Sequence, residues 1–151
     1  MIIEVGDNHV TDIVEFVSLA TDGEYRLDAN GLQRVEYARY KPCEHPIVDI
    51  PVVQDFIKRY CKPTKTIRGG VHALGSYQWK HELERLWHQT DYRLGHHYCS
   101  NGAFIAAALL SGYKAKPIGL VSPINCDFNM VYDRQKLKAD GIVYERGRIA
   151  R

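Results

Sequence analysis

The sequence predicts an α+β fold, a single compact domain in which a small antiparallel sheet or hairpin packs with about four helices. Three observations carry that expectation. The chain has 151 residues, one domain's worth, enough to bury roughly two thirds of its unfolded surface. Stretches with apolar residues at helical spacing alternate with short β-prone runs closed by glycine or proline. Apolar content is 45% and charged content 25%, the balance of a globular domain and not of a disordered or fibrous chain.

The elements follow in order. Ile2 to Val5 is a short strand candidate. Val10, Ile13, Val14, Val17 and Ala20 recur at helical spacing, with Asp7 or Asn8 as N-cap and Thr21-Asp22-Gly23 as the stop. Tyr25-Arg-Leu and Leu32 to Tyr40 flank Asn30-Gly31, a hairpin signal because both turn residues tolerate positive φ. In the second strand Val35, Tyr37 and the stem of Arg39 share one face. Asp49-Ile-Pro51 opens a second helix with Val52, Val53, Phe56, Ile57 and Tyr60 as its buried stripe, ended by Lys62-Pro63. Ser76 caps a third helix running to about His88, whose core face is Trp79, Leu83, Leu86 and Trp87. Ser100 caps a fourth over 101–111, and Gly112-Tyr113 closes it as a Schellman motif. Ile118 to Val121 and Phe128 to Tyr132 are strand candidates, and the last ten residues read as a frayed basic tail. The domain spans 1–151, with an acidic helix-and-hairpin part (1–62), a basic loop plus helix pair (63–130) and the tail (142–151).

No apolar run approaches the roughly 20 residues of a membrane span; Ala103 to Leu110 is the longest. The N-terminus Met-Ile-Ile-Glu-Val has neither the basic region nor the apolar stretch of a signal peptide. Cys43, Cys61, Cys99 and Cys126 lack the dense spacing of a disulfide scaffold. These features predict a cytoplasmic protein with reduced thiols, no membrane partner and no cofactor.

Charge is segregated. Residues 1–55 are net −7, 56–81 are net +6 without a single acid, and 82–151 are net +3. In 56–81 the cations alternate with Tyr60, Tyr77 and Trp79 around Gly69-Gly70. Cations neutralise phosphates and aromatics stack on bases. Lys58, Lys62, Lys65, Arg68 and Lys80 are therefore the candidate nucleic-acid contacts.

The runs Gly75-Ser-Tyr-Gln-Trp-Lys-His-Glu-Leu-Glu, Tyr98-Cys-Ser-Asn-Gly-Ala-Phe-Ile and Asn125-Cys-Asp-Phe-Asn-Met resemble a pattern found in small uncharacterised proteins of phages, plasmids and integrated mobile elements. The pattern reads Ser-Tyr-x-x-Lys-His-x-x-Glu, Tyr-x-Ser-Asn-Gly-x-Phe-Ile, Asn-x-x-Phe-Asn, and covers about residues 75–130. The resemblance implies a genetic context and not a chemistry: a phage or mobile-element accessory protein that handles nucleic acid or antagonises host defence.

Three functions fit these features. The first is non-catalytic binding of nucleic acid or a host nucleoprotein complex through 58–81. The second is inhibition of a host defence complex, in the manner of an anti-CRISPR protein, by an acidic surface that imitates phosphate spacing. The third is a small hydrolase or transferase built on His81, Cys99 and Asn129, with Glu84 at i+3 orienting His81. Cys43, His45, His96 and Cys99 are in addition the residue types of a zinc site, although no zinc-binding spacing is present.

Overall fold

The computed structural model describes residues 1–36, 41, 43–67, 73–90, 96, 98–120 and 123–151. Among these residues five helices and eight short strands follow in the order α1 (Ile13–Ala20), β1 (Tyr25–Asp28), β2 (Gly31–Arg34), α2 (Ile50–Tyr60), β3 (Cys61–Pro63), α3 (Ser76–Gln89), α4 (Asn101–Leu110), β4 (Ala115–Ile118), β5 (Asn125–Phe128), β6 (Met130–Tyr132), α5 (Arg134–Ala139), β7 (Tyr144–Glu145) and β8 (Arg148–Ile149). The strands form four antiparallel pairs: β1–β2, β3–β6, β4–β5 and β7–β8. The class is α+β, as predicted.

α4 is the axis. Its sequence Asn-Gly-Ala-Phe-Ile-Ala-Ala-Ala-Leu-Leu has no polar face, and every residue from Asn101 to Leu109 is buried. A helix apolar all round belongs in the middle of a core. α2 and α3 both pack on it, and the end of the β1–β2 hairpin sits against its first turn. Phe104 joins the two sides, stacked on Trp79 at 6.0 Å and edge-on to Phe56 at 6.3 Å. One contiguous apolar cluster runs from Ile3 to Ile149. Among the described residues no helix is long and apolar enough to cross a membrane.

The end signals of α4 hold. The Ser100 hydroxyl accepts from the Ala103 N–H at 3.1 Å. Gly112 has φ +92°, and the N–H groups of Gly112 and Tyr113 donate to Leu109 and Ala108, the two bonds of a Schellman motif.

Several boundaries differ from expectation. Asp12, and not Asp7 or Asn8, caps α1, accepting from the N–H groups of Val14 and Glu15. Gly75 is the cap position of α3; the Gln78 side chain accepts the Gly75 N–H, and the Ser76 hydroxyl is free to accept the Cys126 N–H inside the core. The hairpin turn is Ala29-Asn30, one residue early, because Asp28 accepts the Asn30 N–H and closes the turn itself. The face expected for Tyr37 and Arg39 lies outside the described residues, and Val35 is exposed. β4 ends at Ile118, where the strand predicted over Ile118–Val121 begins, so it lies three residues early with its register set by its partner β5; the strand predicted over Phe128–Tyr132 is present as β6 with Phe128 closing β5.

The largest correction is at the C-terminus. Residues 142–151 are a docked hairpin and not a frayed tail: Ile142 and Ile149 are buried, and β7 pairs with β8 across Arg146-Gly147. Both turn residues have positive φ, +53° and +81°, the geometry of a tight hairpin turn. The Gln89 side chain fastens it to α3, donating to the carbonyls of Val143 and Ala150 and accepting the Val143 N–H.

Candidate functional site: a basic groove on the third helix

The core stripe of α3 leaves a second stripe, Gln78, His81, Arg85 and His88, at i, i+3, i+7 and i+10 on another side of the helix. These four residues and Glu84 line an open groove of about 420 Å³, which Arg148 and Arg151 from the docked hairpin also line. Five of the seven described lining residues are thus Arg or His. The fold brings Arg148 and Arg151 here by anchoring β8 to a buried carboxylate. Glu82 is fully buried, and its Oε1 accepts from the Ile149 N–H and the Tyr132 hydroxyl, both at 2.9 Å. Its Oε2 takes the Arg85 guanidinium at 3.1 Å, which holds Arg85 at the groove. Arg148 and Arg151 have no ion-pair partner among the described residues.

The acid in the groove is fully committed. Glu84 Oε1 accepts from the Lys80 ammonium at 3.3 Å and meets His81 Nδ1 at 2.8 Å, and its Oε2 accepts the Cys99 N–H at 3.2 Å. The His81 ring is also held edge-to-face by Tyr77, with centroids 4.6 Å apart. A carboxylate can only accept, so Nδ1 carries the proton in the neutral ring and Nε2 keeps its lone pair. The His81 side chain is 43% exposed, against 17% for Glu84.

Lys80 is not available to a phosphate, contrary to the charge pattern. Its side chain is 7% exposed, with the ammonium over the rings of Tyr98 at 4.7 Å and Tyr77 at 5.3 Å. Burial of a lysine requires this kind of pairing. Lys58, Lys62 and Lys65 are exposed around the end of α2 and β3, and none of them lines the α3 groove. Arg68 lies outside the described residues. Of the interleaved aromatics Tyr60 and Trp79 are core, and Tyr77 is exposed, as is Tyr98.

The other candidates separate. Cys99 joins His81 through Glu84, but Asn129 does not: its Oδ1 accepts the Lys114 N–H at 2.7 Å and its Nδ2 donates to Thr64, so it ties strand ends together. A cavity of about 410 Å³ has His45, Asp49, Cys99 and Ser100 among its lining residues. Burial and the Glu84 charge push the Cys99 thiol up to about 12, so it is not a thiolate nucleophile at neutral pH. The His96 ring lies tilted against Trp87, with centroids 5.5 Å apart. Among the described residues no three His, Cys, Asp or Glu side chains are placed to hold a metal, and Cys43, His45, His96 and Cys99 do not assemble as a set.

The cysteines give a direct check. Cys61, Cys99 and Cys126 are buried, each thiol pushed up by desolvation, whereas Cys43 is partly exposed. Iodoacetamide at neutral pH is expected to alkylate Cys43 alone in the native chain and all four thiols in denaturant, read by intact mass. Rapid native labelling of Cys99 would contradict this burial.

The signal that could have revealed the groove was present in part. The stripe 78, 81, 85, 88 is readable as a polar face, but its arginine partners sit about 60 residues downstream in a segment without helical or strand periodicity. No family model, curated protein or solved structure matches the chain.

Proposed function

We propose that this chain binds single-stranded nucleic acid, without base-sequence readout, in the groove between α3 and the C-terminal hairpin. The observation that carries the reading is the convergence of Arg148 and Arg151, neither with an ion-pair partner among the described residues, on the helix face that already presents Arg85, His81 and His88. Guanidinium groups take phosphate oxygens in bidentate fashion and release counterions from the strand. Tyr77 and Tyr98, exposed beside Lys80 and His81, offer aromatic surface on which unpaired bases stack. A buried α4 argues against major-groove reading by a second helix. This is the nucleic-acid function expected from the charge pattern, moved to a different surface, and it suits a mobile-element accessory protein.

The acidic-surface alternative has less support. Of the eleven acids in 1–55, Asp12 caps α1, Asp28 closes the hairpin turn and accepts the Cys43 N–H, and Glu24 and Asp55 pair with Arg34 and Arg59.

Fluorescence anisotropy with single-stranded RNA and DNA oligonucleotides tests the site. The double variant Arg148→Glu, Arg151→Glu is expected to lose affinity by at least about tenfold, two charge-assisted contacts being removed. Lys62→Glu with Lys65→Glu is expected to change it far less. The reverse ranking would return the interface to the 58–68 segment.

A further inference from the structure

We infer that the groove also cleaves the strand it binds, that the substrate is RNA, and that His81 is the general base. The inference rests on the binding reading and adds a reaction to it. Phosphate contact alone does not call for the way His81 is held. Its Nδ1 is bonded to a carboxylate at 2.8 Å, that carboxylate is fixed by an ammonium and by the Cys99 N–H, and the ring is braced by Tyr77. Such a carboxylate–imidazole pair sets the tautomer, orients the ring and stabilises the imidazolium that forms when Nε2 takes a proton. The ring lines the same groove as Arg85, Arg148 and Arg151.

A base beside a held phosphodiester has a nucleophile built into the strand itself only in RNA, where the 2′-hydroxyl adjoins the phosphorus. His81 Nε2 takes the 2′-hydroxyl proton as the 2′-oxygen bonds to phosphorus. The P–O5′ bond then breaks with its electron pair on the 5′-oxygen. That oxygen receives a proton from His88, which enters the step as imidazolium, on the same groove two helical turns further along. The helical rise separates the two positions by about 10 Å, room for a phosphodiester between the rings. Arg148 and Arg151 neutralise the charge that builds on the non-bridging oxygens. The products are a 2′,3′-cyclic phosphate and a 5′-hydroxyl, and no metal, water or cofactor is consumed. Glu84 is a positioning residue here: it touches His81 and not the strand.

The test follows an end-labelled RNA oligonucleotide, its all-deoxy counterpart and an RNA with one 2′-deoxy position, in excess EDTA, with binding measured separately by anisotropy. Wild type is expected to cut the RNA to cyclic-phosphate ends, to leave the DNA whole and to skip the deoxy position. His81→Asn, purified identically, is expected to lose about 10²- to 10⁴-fold in cleavage, with a far smaller change in affinity. Glu84→Gln should slow cleavage and move its pH profile, which a purely structural contact would not do. RNA that is bound but left intact across about pH 5 to 8, or cut equally well by His81→Asn, overturns the cleavage inference and leaves the binding reading standing. Failure to bind RNA or DNA at all overturns both.

Discussion

Replacing Gly102 by alanine is expected to cost more than the same change at any other described glycine. Gly102 is the second residue of α4, where the central helix meets the hairpin end; its N–H donates to the Ala29 carbonyl at 3.1 Å. A Cβ there would overlap the carbonyl oxygen of Asp28, with the Ala29 Cα 3.0 Å away. Both obstacles are backbone, so no side chain can rotate aside. Asp28 is itself fixed, its carboxylate accepting from Asn30, Gln33 and the Cys43 N–H. Relief therefore requires moving α4 off the hairpin, which opens the core around Phe104. Overpacking ordinarily costs about 1–3 kcal/mol; with backbone on both sides the loss is expected to exceed about 3 kcal/mol, a large part of a domain's stability. Gly112→Ala is the contrast. Its φ is +92° but nothing lies within 4 Å of the new methyl, so only the left-handed backbone is penalised, by about 1 kcal/mol. Urea unfolding of the two variants checks the ranking. Equal losses would mean that α4 does not approach the hairpin this closely.

The second large effect is expected at Glu82. Its carboxylate is fully buried and serves three donors from three elements: the Tyr132 hydroxyl on β6, the Ile149 N–H on β8 and the Arg85 guanidinium on α3. Glu82→Ala strands two buried donors and leaves Arg85 unpaired, a change expected to cost about 3–5 kcal/mol. Glu82→Gln keeps an acceptor in nearly the same place and should recover much of that loss. The local signature matters as much as the total. In Glu82→Ala the Ile149 amide should exchange with solvent far faster than the amides of α4, because the C-terminal hairpin is released before the core. Since that hairpin carries Arg148 and Arg151, nucleic-acid affinity should fall with it. A loss below about 1 kcal/mol with Ile149 still protected would show that the hairpin is held by something other than this carboxylate.

Much of the helical part of the fold was legible because its signals are local. The stripe Trp79, Leu83, Leu86, Trp87 and the cap pair Ser100 and Gly112-Tyr113 each lie within a few residues of the structure they specify. The strands were less legible. β4 contains Pro117 and gets its place from Cys126 on β5, and β3 is three residues long and is paired by β6 from far along the chain. The C-terminal hairpin was missed for a related reason. Two-residue strands show no alternation, Arg-Gly is a weaker turn signature than Asn-Gly, and the carboxylate that anchors β8 sits 67 residues earlier. The same distance hid the groove. The pairing of His81 with Glu84 followed from i, i+3 spacing, whereas the burial of Lys80 depended on Tyr98, 18 residues away, and the arrival of Arg148 and Arg151 depended on Glu82. Charge counted along the sequence placed the basic surface on 58–81; in the fold Lys58, Lys62 and Lys65 stay exposed, Lys80 is turned inward, and Arg148 and Arg151 line a groove of their own on α3.

The measurement that bears most directly on the account is the salt dependence of single-strand RNA affinity for wild type and for Arg148→Glu, Arg151→Glu. Each phosphate contact contributes about −0.7 to the slope of log affinity against log salt for a single strand. Binding in the groove gives a clear negative slope for wild type and a shallower one for the variant, by about two contacts' worth, with thermal unfolding unchanged. A variant that binds with the wild-type slope would place the phosphates elsewhere and contradict the groove as the site.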